Sequence, residues 1–170
     1  MLSAKAGQYT AYISIVLLLG AAAPFAYHRL HQDRVLQHRG ETLYSQGRFE
    51  EASQKFAEAV AQGRTGPRIF LLLADARLAA GNLPAAAEGY ARLIEQDPKN
   101  YSALLKLAEI DGLKGRFDDA FSRLGQAEAI KPGTRRLKAV RARVLTYAGR
   151  YDEAIAEYST ILNQKAGETP

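Results

Sequence analysis

From Asp33 onward, apolar and small residues recur at three- and four-residue spacing up to a glycine, and then the pattern restarts. The glycines stand at 47, 81, 115 and 149, each 34 residues from the next. Glycine supplies the left-handed backbone that ends a helix. Acidic residues follow at once, Glu50, Glu51, Asp118, Asp119, Asp152 and Glu153, where carboxylates favour the positive start of the next helix. In the second interval Pro84 takes that place, suited to a first helical turn because its missing N–H costs nothing there. Each interval therefore predicts two helices joined at a tight corner.

The intervals also match one another residue by residue. The corner is written GRFEEA at 47–52, GRFDDA at 115–120 and GRYDEA at 149–154. Two residues past each glycine come Phe49, Leu83, Phe117 and Tyr151, and five past it Ala52, Ala86, Ala120 and Ala154. Phe56, Tyr90, Leu124 and Tyr158 share a further column, as do Ala59, Leu93, Ala127 and Ile161, while Gly40, Ala74, Ala108 and Ala142 form a small-residue column upstream. The small columns let two helices approach closely, and the large apolar columns fill the space beside them. Four units follow, 33–66, 67–100, 101–134 and 135–168, with 169–170 as a tail.

The period, the small residue at unit position 8, glycine at 15, the aromatic at 17, alanine at 20, the aromatic or leucine at 24 and the prolines Pro98 and Pro132 near position 32 resemble the tetratricopeptide repeat. At position 4, where the family usually carries a large aromatic, stand Leu36, Phe70, Leu104 and Lys138, and units one and four lack the closing proline. The resemblance implies an all-α, right-handed superhelical solenoid of helix pairs whose first helices line a concave groove. Carried onto this chain, the groove floor is Leu71, Leu72, Leu78, Leu105 and Leu113, flanked by Asp75, Lys106, Glu109, Arg143 and Tyr147. An apolar strip with polar edges suits a protein segment as ligand; the alternative is that these leucines belong to a continuous core. A clamp for the carboxylate terminus of chaperones is not expected. Of its five positions, Gln37, Glu41, Leu72, Ser102 and Lys106, only the last carries the required side chain.

The first 32 residues follow another pattern. Residues 6–27 are uncharged throughout, and the 19 from Tyr9 to Tyr27 reach ~28 Å as a helix, close to the hydrocarbon thickness of a bilayer. Tyr9 and Tyr12 near one end and Phe25 and Tyr27 near the other suit the two interfaces. A single transmembrane helix at 9–27 is expected, after a tail at 1–8 and before a juxtamembrane linker at 28–32. A cleaved secretory signal is the rival, with Lys5 leading and Gly20 to Ala23 as the small-residue site, but Pro24 argues against cutting there. Arg29, Arg34 and Arg39 favour the repeats inside, whereas the likeness to a secretory signal favours them outside. The expectation is a bacterial inner-membrane protein with the repeats on the periplasmic side.

Charge changes the picture at one place. Units one to three are each balanced, whereas unit four carries seven cations against four anions. Arg135, Arg136, Lys138, Arg141, Arg143 and Arg150 make a basic patch that could attract an acidic protein, anionic lipid or anionic polymer; a solvated outer face is the alternative. Ile155 and Leu162 lie on the last helix outside the expected packing columns, as an exposed end that a partner could cover.

Composition narrows the chemistry. The chain has no cysteine, which excludes thiolate metal sites, disulfides and cysteine nucleophiles, and its three histidines, His28, His31 and His38, cluster near the amino-terminal segment. No catalytic constellation, phosphate loop or nucleotide-stacking platform is present in the sequence. The expectation is a non-enzymatic, membrane-anchored scaffold that binds protein partners and helps assemble a membrane complex, without cofactor, metal, small-molecule substrate or nucleic acid. The second reading is a secreted or peripheral adaptor that holds an anionic polymer on unit four.

Overall fold

The computed structural model describes residues 32–166, with the side chains described through 163. The expected membrane helix at 9–27, its flanking segments and His28 and His31 lie outside the described residues. No helix among those described is long and apolar enough to cross a membrane.

Eight helices fill the described residues: α1 Gln32–Ser45, α2 Phe49–Ala61, α3 Pro67–Ala79, α4 Leu83–Gln96, α5 Tyr101–Leu113, α6 Phe117–Ile130, α7 Arg135–Tyr147 and α8 Tyr151–Ala166. They form four pairs, one per 34-residue unit, and short connections make sequential helices antiparallel neighbours. The corner repeats as expected. Gly47, Gly81, Gly115 and Gly149 have φ between 73° and 79°, a region unfavourable to other residues. At each corner the residue after the glycine donates its N–H five residues back, as Arg48 does to the Leu43 carbonyl at 3.0 Å, which satisfies an end-of-helix acceptor. Arg48 and Arg150 then reach forward to Glu51 and Glu153, so the charged letters of GRFEEA and GRYDEA brace the corner. Asn82, Asn100 and Thr134 cap α4, α5 and α7 by accepting from the N–H three residues on.

Among the described residues the core is divided into clusters rather than gathered at one centre. One cluster joins Ala52, Phe56 and Ala59 of α2 to Ile69, Leu73 and Ala76 of α3. A second joins Tyr90 and Leu93 of α4 to Ala103, Leu107 and Ile110 of α5, and a third joins Leu124 and Ala127 of α6 to Leu137, Val140 and Val144 of α7. Each cluster straddles the second helix of one unit and the first of the next, so every unit buries its neighbour's face, as in a solenoid. The small columns serve the packing within a unit: a Cβ on Gly40 of α1 would stand 2.6 Å from the Phe56 ring of α2.

Candidate protein-binding surface

On the first helices, α1, α3, α5 and α7, the expected groove positions 2, 5, 6, 9, 12 and 13 fall at the three- and four-residue spacing that one helix face requires. The spacing of these helices along the array is uneven. α5 and α7 pack directly on one another, α1 and α3 touch lightly, and the backbones of α3 and α5 approach less than either pair. Gly112 explains the close pair, because a Cβ there would lie 3.0 Å from Val144 Cγ2 and 3.3 Å from Tyr147 Cδ2. At the same position units one and two carry Tyr44 and Leu78.

This unevenness corrects the expected floor. Leu105 is 1% exposed and sits in the third core cluster with Leu137 and Val140, where α7 covers it. It belongs to the core reading. Leu71 and Leu78 are half-buried against the second cluster and Leu72 against the first, so they remain a shallow apolar strip. Leu113 at 47% and Tyr147 at 41% stand exposed at the far rim, and Tyr44 at 37% adds an aromatic ring on the α1 side.

The polar column at position 9 is organised differently in each unit. Asp75 accepts a hydrogen bond from the Tyr90 hydroxyl at 2.5 Å, which ties it inward to α4. Burial and that bond, with the nearby carboxylate charge, push the Tyr90 phenol far above its ordinary range, so it stays protonated as donor. Glu109 is tied sideways instead: its Oε1 lies 2.8 Å from Nε of Arg143 on α7, an ion pair out of line for a hydrogen bond. Glu41 accepts from Gln37 at 2.9 Å and from Arg68 of α3 at 3.4 Å. Lys106 is half-buried on the same face.

The six cations of unit four do not form one surface. Arg143 pairs with Glu109, and Arg136 donates to the Ser102 hydroxyl at 3.3 Å, both across to α5 on the groove side. Arg141 pairs with Glu128 and with Glu157, and Arg150 with Glu153 at 2.6 Å; with Lys138 these line a cleft beside α6 and α8. The hydrogen bond from Arg141, with one from the Gly133 N–H, holds the Glu128 carboxyl below the usual carboxylate range. A helix with cations at 135, 136, 138, 141 and 143 distributes them around its circumference, so a dense run in sequence becomes two dispersed faces. Exposed Arg135 sits at the amino end of α7.

Ile155 and Leu162 are exposed on α8, as the pattern predicts, and they are accompanied by Tyr151 and Tyr158. Tyr158 departs from its column. Phe56, Tyr90 and Leu124 are buried under the next unit's first helix, a cover that α8 lacks among the described residues.

Two features of the surface escaped the sequence reading. Gly112 sets the width of the face, and its one signal is a glycine where the preceding units carry large side chains. The inward Tyr90–Asp75 bond joins a packing column to a groove column and becomes visible once the helices are paired.

Comparisons agree with this geometry. The sequence profile described as Tetratricopeptide repeat matches residues 43–110 and 113–170. DnaJ homolog subfamily C member 7 of Mus musculus is 31% identical over 136 residues, covering 73% of this chain and 28% of that protein. Rhomboid protease GluP of Bacillus subtilis (strain 168) is 28% identical over 109 residues, 61% of this chain and 22% of that protein. The chain thus spans under a third of the length of these relatives. Among solved structures, a thermophilic TPR protein of Thermus thermophilus, TTC0263, superposes with a TM-score of 0.67 at 25% identity over 77% of this chain and 73% of that one. YrrB, described as a TPR protein with an unusual peptide-binding site, superposes at 0.64 with 16% identity over 89% and 84%. A solenoid of eight helices with 34-residue period, whose profile match spans most of the sequence, belongs to the tetratricopeptide-repeat family.

Proposed function

We propose that this chain is a membrane-anchored scaffold that holds a protein segment on the α1–α3–α5 part of its concave face and so helps assemble a membrane complex. The observation that carries the reading is the shallow strip of Leu71, Leu72 and Leu78, half-buried and bordered by Asp75 and Glu41, whose carboxylates already have partners within the fold. Apolar surface of that kind gains free energy when a partner covers it, and satisfied polar edges avoid leaving orphaned groups behind. The peptide site named for YrrB is a property of that protein and supports the reading by likeness of fold alone. Anchoring rests on the uncharged run at 6–27 and its terminal aromatics. In this reading the repeats lie on the periplasmic side of an inner membrane, a side favoured by the likeness of the leading segment to a secretory signal. The anionic-polymer reading is the weaker one, because Arg141, Arg143 and Arg150 each already face a carboxylate, which leaves Arg135, Arg136 and Lys138 of the six cations for a polymer.

The test is recovery of crosslinked partner chains from detergent-solubilised membranes of cells expressing the full chain. Leu71→Asp with Leu78→Asp is expected to reduce recovery about tenfold, and recovery by the parent chain is expected to survive moderate salt. Circular dichroism reports whether the double variant keeps its helices. Leu113→Asp, at an exposed rim position, is the milder probe and should weaken recovery without touching the fold. Unchanged recovery in folded variants sinks the groove reading, and loss of the parent's capture at moderate salt points to charge instead. The side of the membrane is read by a cysteine introduced at exposed Ser122, since the chain has none of its own. Labelling by an impermeant thiol reagent from the cytoplasmic side alone would contradict the periplasmic placement.

A further inference from the structure

On α8 the exposed residues Tyr151 (63%), Ile155 (62%), Tyr158 (40%) and Leu162 (66%) are spaced four, three and four apart, which puts them on one stripe. The repeat register says what such a stripe is for. In unit two the same columns hold Leu83, Ala87, Tyr90 and Ile94, all packed in the second cluster, which includes Ala103, Leu107 and Ile110 of α5, and in unit one Phe56 and Val60 pack in the first, which includes Ile69, Leu73 and Ala76 of α3. In each case the cover is an antiparallel helix that begins the next unit. Its contributions come from unit positions 3, 7 and 10, namely Ile69, Leu73 and Ala76 on α3 or Ala103, Leu107 and Ile110 on α5. The described part of α8 therefore offers an apolar face shaped for one antiparallel helix with apolar residues at four–three spacing.

We propose that this occupant is α8 of a second copy, so that the chain forms a two-fold dimer through antiparallel α8 helices. α8 has both properties needed, a face that wants such a cover and the four–three spacing that a cover presents. Self-complementarity of this kind is what a two-fold interface requires. Charge fixes the direction. Asp152, Glu153 and Glu157 occupy the first half of the helix, and residues 158–163 carry no charge. Antiparallel pairing sets Asp152 and Glu153 against the uncharged Ile161 and Thr160 of the partner, leaves Glu157, already paired with Arg141, beside the two-fold axis, and brings Tyr151 opposite Leu162, and Ile155 opposite Tyr158, of the partner. A parallel pair would oppose acids to acids. Head-to-tail stacking of α8 onto α1 is the other way to use a second copy, but α1 carries Val35, Arg39 and Thr42 at positions 3, 7 and 10, one apolar side chain where α3 and α5 have three. Four side chains per copy cover less than the about 800 Å² per partner of a standard interface, so the dimer is a weak one that forms at micromolar or higher concentration.

The test uses single cysteines in the otherwise cysteine-free full chain, purified in mild detergent. Tyr151→Cys and Leu162→Cys proteins are mixed and oxidised, and the disulfides are resolved by mass. The expected product is the mixed 151–162 dimer, about tenfold over either like-with-like dimer and over a Ser122→Cys control. Adding Ile155→Asp to both proteins should lower the mixed product about tenfold while circular dichroism stays unchanged, because Ile155 is solvent-exposed in the single copy. Predominant 151–151 and 162–162 products would overturn the antiparallel arrangement. Yields no higher than the control, or indifference to Ile155→Asp, would overturn the dimer and leave a foreign helix as the occupant. Neither result bears on Leu71 and Leu78, so the dimer and the groove reading fail separately.

Discussion

Between α3 and α5 the concave face is open, whereas between α5 and α7 it is shut, although both junctions are built from the same 34-residue pattern. Position 12 separates them: Leu78 in unit two, Gly112 in unit three, with Val144 and Tyr147 of the next unit resting where a Cβ of Gly112 would project. Position 9 follows suit. Asp75 is held inward by Tyr90 and leaves the neighbouring helix free, while Glu109 reaches sideways to Arg143 and draws α7 in. A repeat protein can thus tune a binding face one junction at a time, by side-chain volume at one column and by the direction of one carboxylate at another.

The largest effect expected from this contrast is in the stability of two chemically identical truncations. Leu105→Ala removes a side chain that α7 has enclosed and should cost about 2–4 kcal/mol. Leu71→Ala, at the equivalent position of unit two, removes a half-buried one and should cost about 1 kcal/mol, because water already reaches part of it. Denaturant titration of both variants measures the gap. Equal costs would mean that the two junctions are alike in solution.

Gly112→Leu copies the unit-two residue into unit three. The new side chain meets Val144, which is fully buried and backed by core, and Tyr147, which is exposed and can swing aside. Overpacking of this kind costs about 1–3 kcal/mol. Displacement of α7 should also raise the exposure of Leu105 and loosen the Glu109–Arg143 pair. Amide exchange in α5 and α7 should then rise above that in α1 and α2. A variant that keeps parental stability and exchange would show that Gly112 is a tolerated residue and does not set the width.

Most of the scaffold was legible in the sequence because it depends on period. Glycine at a positive φ, carboxylates after it and alanine columns at fixed phase are local requirements that each unit repeats, so four copies reinforce one reading. The groove was legible only in part. Leu71, Leu72 and Leu105 look alike along the chain, and what distinguishes them is how near the next first helix lies, which Gly112 decides from seven residues away. The basic run misled for a similar reason. Six cations within 135–150 read as one patch, yet helical geometry sends Arg143 to Glu109 and Arg141 to Glu128 and Glu157, acids that come from three other helices. Tyr158 stood in a packing column whose burial depends on a cover from outside its own unit.

The smallest expected effect concerns what holds the open side in place. The Tyr90 phenol is buried and donates to Asp75, so folding raises its pKa and favours the neutral form. Its contribution is complete below the unfolded-state value near ~10 and declines as pH rises above it, because the unfolded chain can then release a proton that the folded chain retains. Tyr90→Phe should cost about 1 kcal/mol near neutrality, the net worth of one hydrogen bond whose acceptor Asp75 is half-exposed and rehydrates. Above pH ~10 the parent loses about 1.4 kcal/mol per pH unit from this group and the variant does not. The two stability curves should therefore converge and cross near pH ~11. Leu124→Ala, at the same column of unit three, has no hydroxyl to titrate, so its cost relative to the parent should stay flat across that range. Denaturant titrations at neutral pH and on both sides of pH ~10 make the comparison. Parallel curves for Tyr90→Phe would mean that the phenol is not held in its neutral form, and the inward tie of Asp75 would lose its energetic basis.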